Sequence, residues 1–82
     1  MNKKITVILN DFNKINKFSN EVIKFKSDID LIRGRYVIDA KSTIGIFTLD
    51  LSVPVDVVLR SNNKEEIKIF NEIMEEFKAW TY

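Results

Sequence analysis

Apolar residues change their spacing along this chain, from every second position to every third or fourth and back, and this alternation of periods restricts the fold more than any other feature. Ile5, Val7 and Leu9 share one side of an extended segment, which predicts a first strand. Asn10 and Asp11 are good helix-capping residues. After them Ile15, Phe18, Val22 and Phe25 recur at three- and four-residue spacing with lysines opposite, which predicts an amphipathic helix ending near Lys26. Asp28-Ile29-Asp30-Leu31 and Tyr36-Val37-Ile38-Asp39-Ala40 read as two strands, and Arg33-Gly34-Arg35 between them reads as a hairpin turn, because glycine supplies the positive φ such turns need. Thr43-Ile44-Gly45-Ile46-Phe47-Thr48-Leu49 carries two signals. Its β-branched residues favour strand; Ser42 as an N-cap and the short span to Pro54 favour a short helix, which is the reading adopted. Val55, Val57 and Leu59 form the last strand, opened by Pro54 where a strand tolerates it. A closing helix carries Ile67, Phe70, Met74 and Phe77, with Asn62-Asn63 before it and Glu65 and Glu66 in its first turn.

The order β-α-β-β-α-β-α predicts an α+β domain: a four-stranded antiparallel sheet with the helices on one face, an open-faced β-sandwich. With 82 residues, two Gly and one Pro, the chain has room for one core and few breaks, so residues 1–82 read as a single domain without a linker.

Histidine and cysteine are both absent. That removes imidazole and thiol nucleophiles, disulfides and zinc-thiolate sites, and leaves core packing as the source of stability. A reducing cytoplasmic setting is expected: the apolar run ending at Leu9 lacks the length and cleavage site of a signal peptide, and no stretch approaches the roughly 20 apolar residues of a membrane span. No phosphate loop, dinucleotide fingerprint or metalloprotease helix is present, so no cofactor and no enzymatic activity are expected. Asp28, Asp30 and Asp39 would suit a hard cation, but alternating acids on the solvent side of a sheet explain them more simply, and no metal is expected. Residues 1–41 carry nine Lys/Arg against five Asp/Glu, and residues 42–82 carry four against seven. Two solvated faces account for this; the sharper reading is a basic patch for an acidic protein. Nucleic-acid binding would need a stronger excess with interleaved aromatics.

Phe25-Lys26-Ser27-Asp28-Ile29-Asp30-Leu31, Gly34 in the hairpin, and above all Lys41-Ser42-Thr43-Ile44-Gly45-Ile46-Phe47-Thr48-Leu49 resemble the phosphocarrier protein HPr of the bacterial sugar phosphotransferase system. The resemblance runs from about Phe18 to the C-terminus; the first strand agrees only in pattern. It implies an HPr-like fold and sugar-transport or catabolite regulation through protein partners: phosphotransferase-system or transcription-regulatory proteins and a serine kinase. The family's histidine motif would fall within Asn10 to Lys17, where this chain has no histidine, so phosphoryl relay by that route is excluded. Some bacilli have an HPr-like protein that lacks the histidine, keeps the serine and acts only in catabolite regulation; this chain is similar in kind, with a different loop.

Ser42 matches the family's regulatory serine, and a phosphate there would add about −1.5 to −2 charges. Thr43, Ile44 and Phe47 match the neighbouring partner-binding patch, so Ile44 and Phe47 are expected to face outward while Ile46 and Leu49 face the core. Lys14 and Lys17 are expected to add the basic side of the first helix. Asp11 is weighed as an acyl-phosphate acceptor and as a helix cap, and the cap is preferred. Outward Ile8, Ile32, Val37 and Val58 raise the expectation of a homodimer through the open sheet face. Trp80 and Tyr82 read as a packed or fraying end, or as an interface. The alternative to a serine-switched regulator is an interaction or oligomerisation module that has lost both phosphorylation sites; an enzyme using Asp11 or the Asp28/Asp30/Asp39 acids is the weakest reading.

Overall fold

The structure, a computed structural model, describes residues 3–79; Trp80 and Tyr82 lie outside the described residues. The elements follow the expected order: β1 (Lys4–Val7), α1 (Phe12–Val22), β2 (Ile29–Arg33), β3 (Tyr36–Asp39), α2 (Thr43–Ile46), β4 (Val55–Leu59) and α3 (Lys64–Met74), with α3 tightening into one 3-10 turn at Glu75–Phe77.

The strands form one antiparallel sheet in the order β1-β4-β2-β3. Alternation places Ile5 and Val7, Ile29 and Leu31, and Val55, Val57 and Leu59 on one face, and all are buried. The helices cover that face. Ile15, Phe18 and Val22 of α1 and Phe70 and Met74 of α3 complete the core with Leu9, Phe25, Ala40, Ile46 and Phe77, and no polar or charged residue is buried among the described residues. Two edge-to-face ring pairs join α1 and the turn after it to α3 and its 3-10 extension: Phe18 with Phe77, centroids 5.6 Å apart, and Phe25 with Phe70, 6.2 Å apart.

Several boundaries differ from the periodic reading. The α-helical part of α1 stops at Val22, and tighter turns, Lys24 N–H to Glu21 O and Phe25 N–H to Val22 O, carry Phe25 into the core beyond the helix end. Regular pairing of β1 ends at Val7, opposite Val55, because Pro54 precedes β4. Leu9 is nevertheless buried. Beyond the 3-10 turn the chain returns along β1: Ile8 N–H donates to Phe77 O at 2.9 Å and Ala79 N–H to Thr6 O at 3.0 Å, which covers part of that sheet edge.

The open face is not the apolar surface expected from Ile8, Ile32, Val37 and Val58. Its cross-strand rows read Lys4-Val58-Asp30-Asp39 and Thr6-Asp56-Ile32-Val37, so five of these eight positions are polar and only Ile32 and Val37 are apolar cross-strand partners. These polar groups pair with one another. Asp56 accepts from Thr6 Oγ1 at 2.7 Å with Lys4 Nζ 3.7 Å away, and Asp30 accepts from Arg60 Nε at 3.0 Å.

Two glycines are required by geometry. Gly34 opens the two-residue hairpin loop at φ 57 and Arg35 is not left-handed, the sign pattern of a type II′ turn. Gly45 lies so close to β3 that a Cβ there would meet Ile38 Cγ2 at 2.7 Å. Gly45→Ala should therefore destabilise the protein by about 1–3 kcal/mol, although alanine is the better helix former. Gly34→Ala should cost about 1 kcal/mol through its left-handed backbone. Urea unfolding of both variants checks the two figures.

Asn63 caps α3 by accepting from Glu66 N–H at 2.9 Å. In a capping box the glutamate three residues after the cap would turn back to it; here Glu66 reaches across to Ser27, accepting from its Oγ at 2.5 Å and its N–H at 3.3 Å. Chiefly the Ser27 hydroxyl, then Ser61, hold the Glu66 carboxyl below its ordinary pKa. A lowered folded pKa contributes stability above the unfolded value, about 4.3, that is lost as pH falls through the folded value. Wild type should exceed Glu66→Gln in stability at pH 7, and the gap should close as denaturation is repeated at successively lower pH from about 5 to about 3.

Candidate functional site

The α2 segment is built around its cap. Ser42 is extended, at φ −89 and ψ 105; its Oγ accepts from Gly45 N–H at 3.1 Å and its carbonyl from Ile46 N–H at 3.1 Å. Ser42 N–H donates to Asp39 O at 3.0 Å, and Lys41 N–H to Asp39 Oδ1 at 2.9 Å, so the end of β3 fixes where α2 starts. The Lys41 side chain is drawn to Phe25 O at 2.7 Å. Ser42 itself is exposed.

Four residues make α2 shorter than the stretch that carries the helical signal. Within and just beyond it Ile46 is buried and Leu49 packs on the core, whereas Ile44 is 83% exposed and Phe47 49%. The side chain of Thr43 lies outside the described groups. Phe47 meets Phe12, the first residue of α1, with ring centroids 5.8 Å apart and planes tilted by 32°. Phe12 is 65% exposed. Two exposed aromatics are thus in contact with each other, one at the start of α1 and one just after α2, and Ile44 is exposed on the same α2 segment that Ser42 opens.

Sequence reasoning passed over Phe12. Its position three residues before Ile15 is in phase with the buried stripe of α1, so it reads as core; it stands outside because the first turn of α1 extends past the packed face. An aromatic residue directly after a cap, inside the segment where the family motif would lie, was the available signal.

Asp11 is the N-cap of α1, extended at φ −140 and ψ 162, its Oδ1 accepting from Lys14 N–H at 2.8 Å. Lys14 Nζ stays near Asn10 Oδ1 at 3.4 Å, at the same end of α1 as Phe12. Lys17 is drawn elsewhere. Its ammonium pairs with Glu76 Oε2 at 2.7 Å, and that hydrogen bond and charge raise its pKa, which ties α1 to the 3-10 turn after α3. The structure thus brings Phe12 to Phe47, on the segment that Ser42 opens, and directs Lys17 to a different contact.

Asp30 and Asp39 are cross-strand neighbours on the open face, with Arg60 on one and Lys41 N–H on the other. Among the described residues no group of three His, Cys, Asp or Glu side chains is placed to hold a metal ion, and no helix is long and apolar enough to cross a membrane.

No family model and no curated protein matches this sequence. A solved structure does: the crystal structure of HPr-C-His from Thermoanaerobacter tengcongensis superposes with a TM-score of 0.71 at 25% identity, covering 92% of this chain and 93% of that one. With four antiparallel strands ordered β1-β4-β2-β3 and its helices on one face, this chain has an HPr-like fold.

Proposed function

We propose that this chain is a non-enzymatic, partner-binding regulatory domain, phosphocarrier-like in fold, in which the Phe12, Ile44 and Phe47 patch docks a protein and Ser42 receives a regulatory phosphoryl group. The observation that carries this reading is the exposure of Ile44 and Phe47 on the segment opened by a solvent-accessible serine, with an exposed Phe12 in ring contact with Phe47. Desolvating such side chains against a partner is the usual source of docking affinity.

Phosphorylation of Ser42 would act by charge. Ser42 Oγ attacks the γ-phosphorus of ATP held by a serine kinase, the bond to the β-phosphate oxygen breaks, ADP leaves, and the hydroxyl proton passes to a base of the kinase. The product places about −1.5 to −2 charges at the start of α2, makes the Ser42 ester oxygen a weaker acceptor for Gly45 N–H, and adds phosphate oxygens that can accept there instead. A partner with an apolar surface rimmed by arginine would gain affinity, and one with an acidic rim would lose it. The phosphohistidine route has no acceptor here, because the chain contains no histidine. Asp11 is a poor substitute, since it caps α1.

In the second reading, an interaction module that has lost both phosphorylation sites, the Ser42 hydroxyl serves only as the α2 cap, accepting from Gly45 N–H. Intact-mass analysis separates the two. Incubation with the serine kinase of the phosphotransferase system and ATP should add one phosphate to the wild type and none to Ser42→Ala, and incubation with enzyme I and phosphoenolpyruvate should add none. No gain with the kinase leaves the second reading, and a gain with enzyme I contradicts both.

A docking residue and a core residue also differ in what their removal costs. Ile44→Ser should leave thermal stability within about 0.5 kcal/mol of wild type. Ile46→Ala, at a fully buried position of the same helix, should cost about 2–5 kcal/mol.

A further inference from the structure

The two edges of the sheet are treated differently. The outer edge of β1 is partly covered by the chain returning after Phe77, whereas β3 has β2 on one side and no strand on the other among the described residues. Ala40 N–H donates to Ile29 O at 2.8 Å, which fixes the alternation along β3: Tyr36 and Ile38 turn their backbone groups toward β2, and Val37 turns its N–H and C=O outward. Tyr36, 68% exposed, and Val37, 59% exposed, stand on this edge. Natural proteins blunt an open edge with a proline, a bulge, charged side chains, a short strand or a covering helix; β3 is four residues long and α2 packs on Ile38 at its helix-covered side. The β3 segment Tyr36-Val37-Ile38-Asp39 has no proline and pairs with β2 in unbroken register.

We infer that β3 is a self-pairing edge, through which a second copy of this chain adds antiparallel about a two-fold axis normal to the sheet. Such an axis keeps each face of the sheet on its own side, so opposed residues must share a face. Two central registers satisfy this, Val37 opposite Val37 or Ile38 opposite Ile38. Charge decides between them. Centring on Val37 sets Arg35 of each copy opposite Asp39 of the other, two pairs of opposite sign flanking a Val37-Val37 contact. Centring on Ile38 sets Arg35 opposite Lys41 and leaves Val37 against Asp39.

In the favoured register the Val37 N–H of each copy donates to the Val37 C=O of the other, closing the groups that β2 leaves open. Tyr36 comes to lie opposite Ile38 on the helix-covered side. Arg35 forms no ion pair within the described residues, and Asp39 uses one carboxylate oxygen for Lys41 N–H. Both are therefore available for the contact. A short edge pairing buries little area, so the dimer is weak and reversible.

Sedimentation equilibrium of the full chain up to about 1 mM tests the inference, with circular dichroism confirming that each variant is folded. Wild type should show a monomer–dimer equilibrium. Val37→Pro removes an N–H that no intrachain bond uses and should weaken the dimer at least about tenfold. Arg35→Asp and Asp39→Arg each set like charges opposite one another and should each be monomeric alone. Mixed in equal amounts they should associate, because the carboxylate introduced at position 35 of one copy then faces the guanidinium introduced at position 39 of the other, while the unchanged Asp39 of the first faces the unchanged Arg35 of the second. A wild type that stays monomeric, a dimer indifferent to Val37→Pro, or charge variants that fail to associate on mixing would overturn the inference.

Discussion

The contact on which the surface architecture depends is the close approach of α2 to β3 at Gly45. A Cβ there would meet Ile38 Cγ2 at 2.7 Å, so only glycine lets the helix lie this near the sheet. Once it does, Ile46 reaches the core, and helical spacing turns Ile44 and Phe47 the other way. Ser42 is held at the head of the same turn by Asp39 and by its own cap bond. The serine, the exposed apolar side chains and the glycine are thus consequences of one packing arrangement, and a change that lifts α2 from β3 would disturb all of them together.

The burial of a single sheet face explains why so much of the fold was legible. Alternation in Ile5/Val7, Ile29/Leu31 and Val55/Val57/Leu59 marks the inward side of three strands, and three- and four-residue spacing in α1 and α3 marks the helices that cover it. The hairpin was legible from Gly34 because the backbone conformation there requires it. Pairing of β1 with β4, which lie far apart in the chain, left no local trace in the sequence. Element ends were also illegible, because the final turns of α1 and α3 tighten without changing the apolar spacing that carries the signal.

At the site, the pattern marked Ser42 as a helix cap, while the outward direction of Ile44 and Phe47, which the structure shows, was expected from the HPr resemblance and not from periodicity. The pattern missed Phe12, whose phase matches the core stripe, and it did not foresee that Lys17 would be taken by Glu76, since that ion pair joins elements distant in sequence. The Glu66 to Ser27 bond was hidden for the same reason: locally, Asn63 and Glu66 look like a self-contained cap, and only the fold brings Ser27 within reach. The chain thus pairs an HPr-like fold with a composition that has no histidine to carry a phosphoryl group, and the exposed apolar patch beside Ser42 is the feature most in need of a role.

The central claim is that this patch is a docking surface, and the most direct test is backbone amide chemical-shift mapping of the isotope-labelled chain titrated with the purified serine kinase of the phosphotransferase system. The account predicts perturbations centred on Phe12 and on Ser42 through Phe47, with the open sheet face around Thr6 and Asp56 silent. Perturbations centred on that open face, or none in either region at saturating kinase, would contradict it.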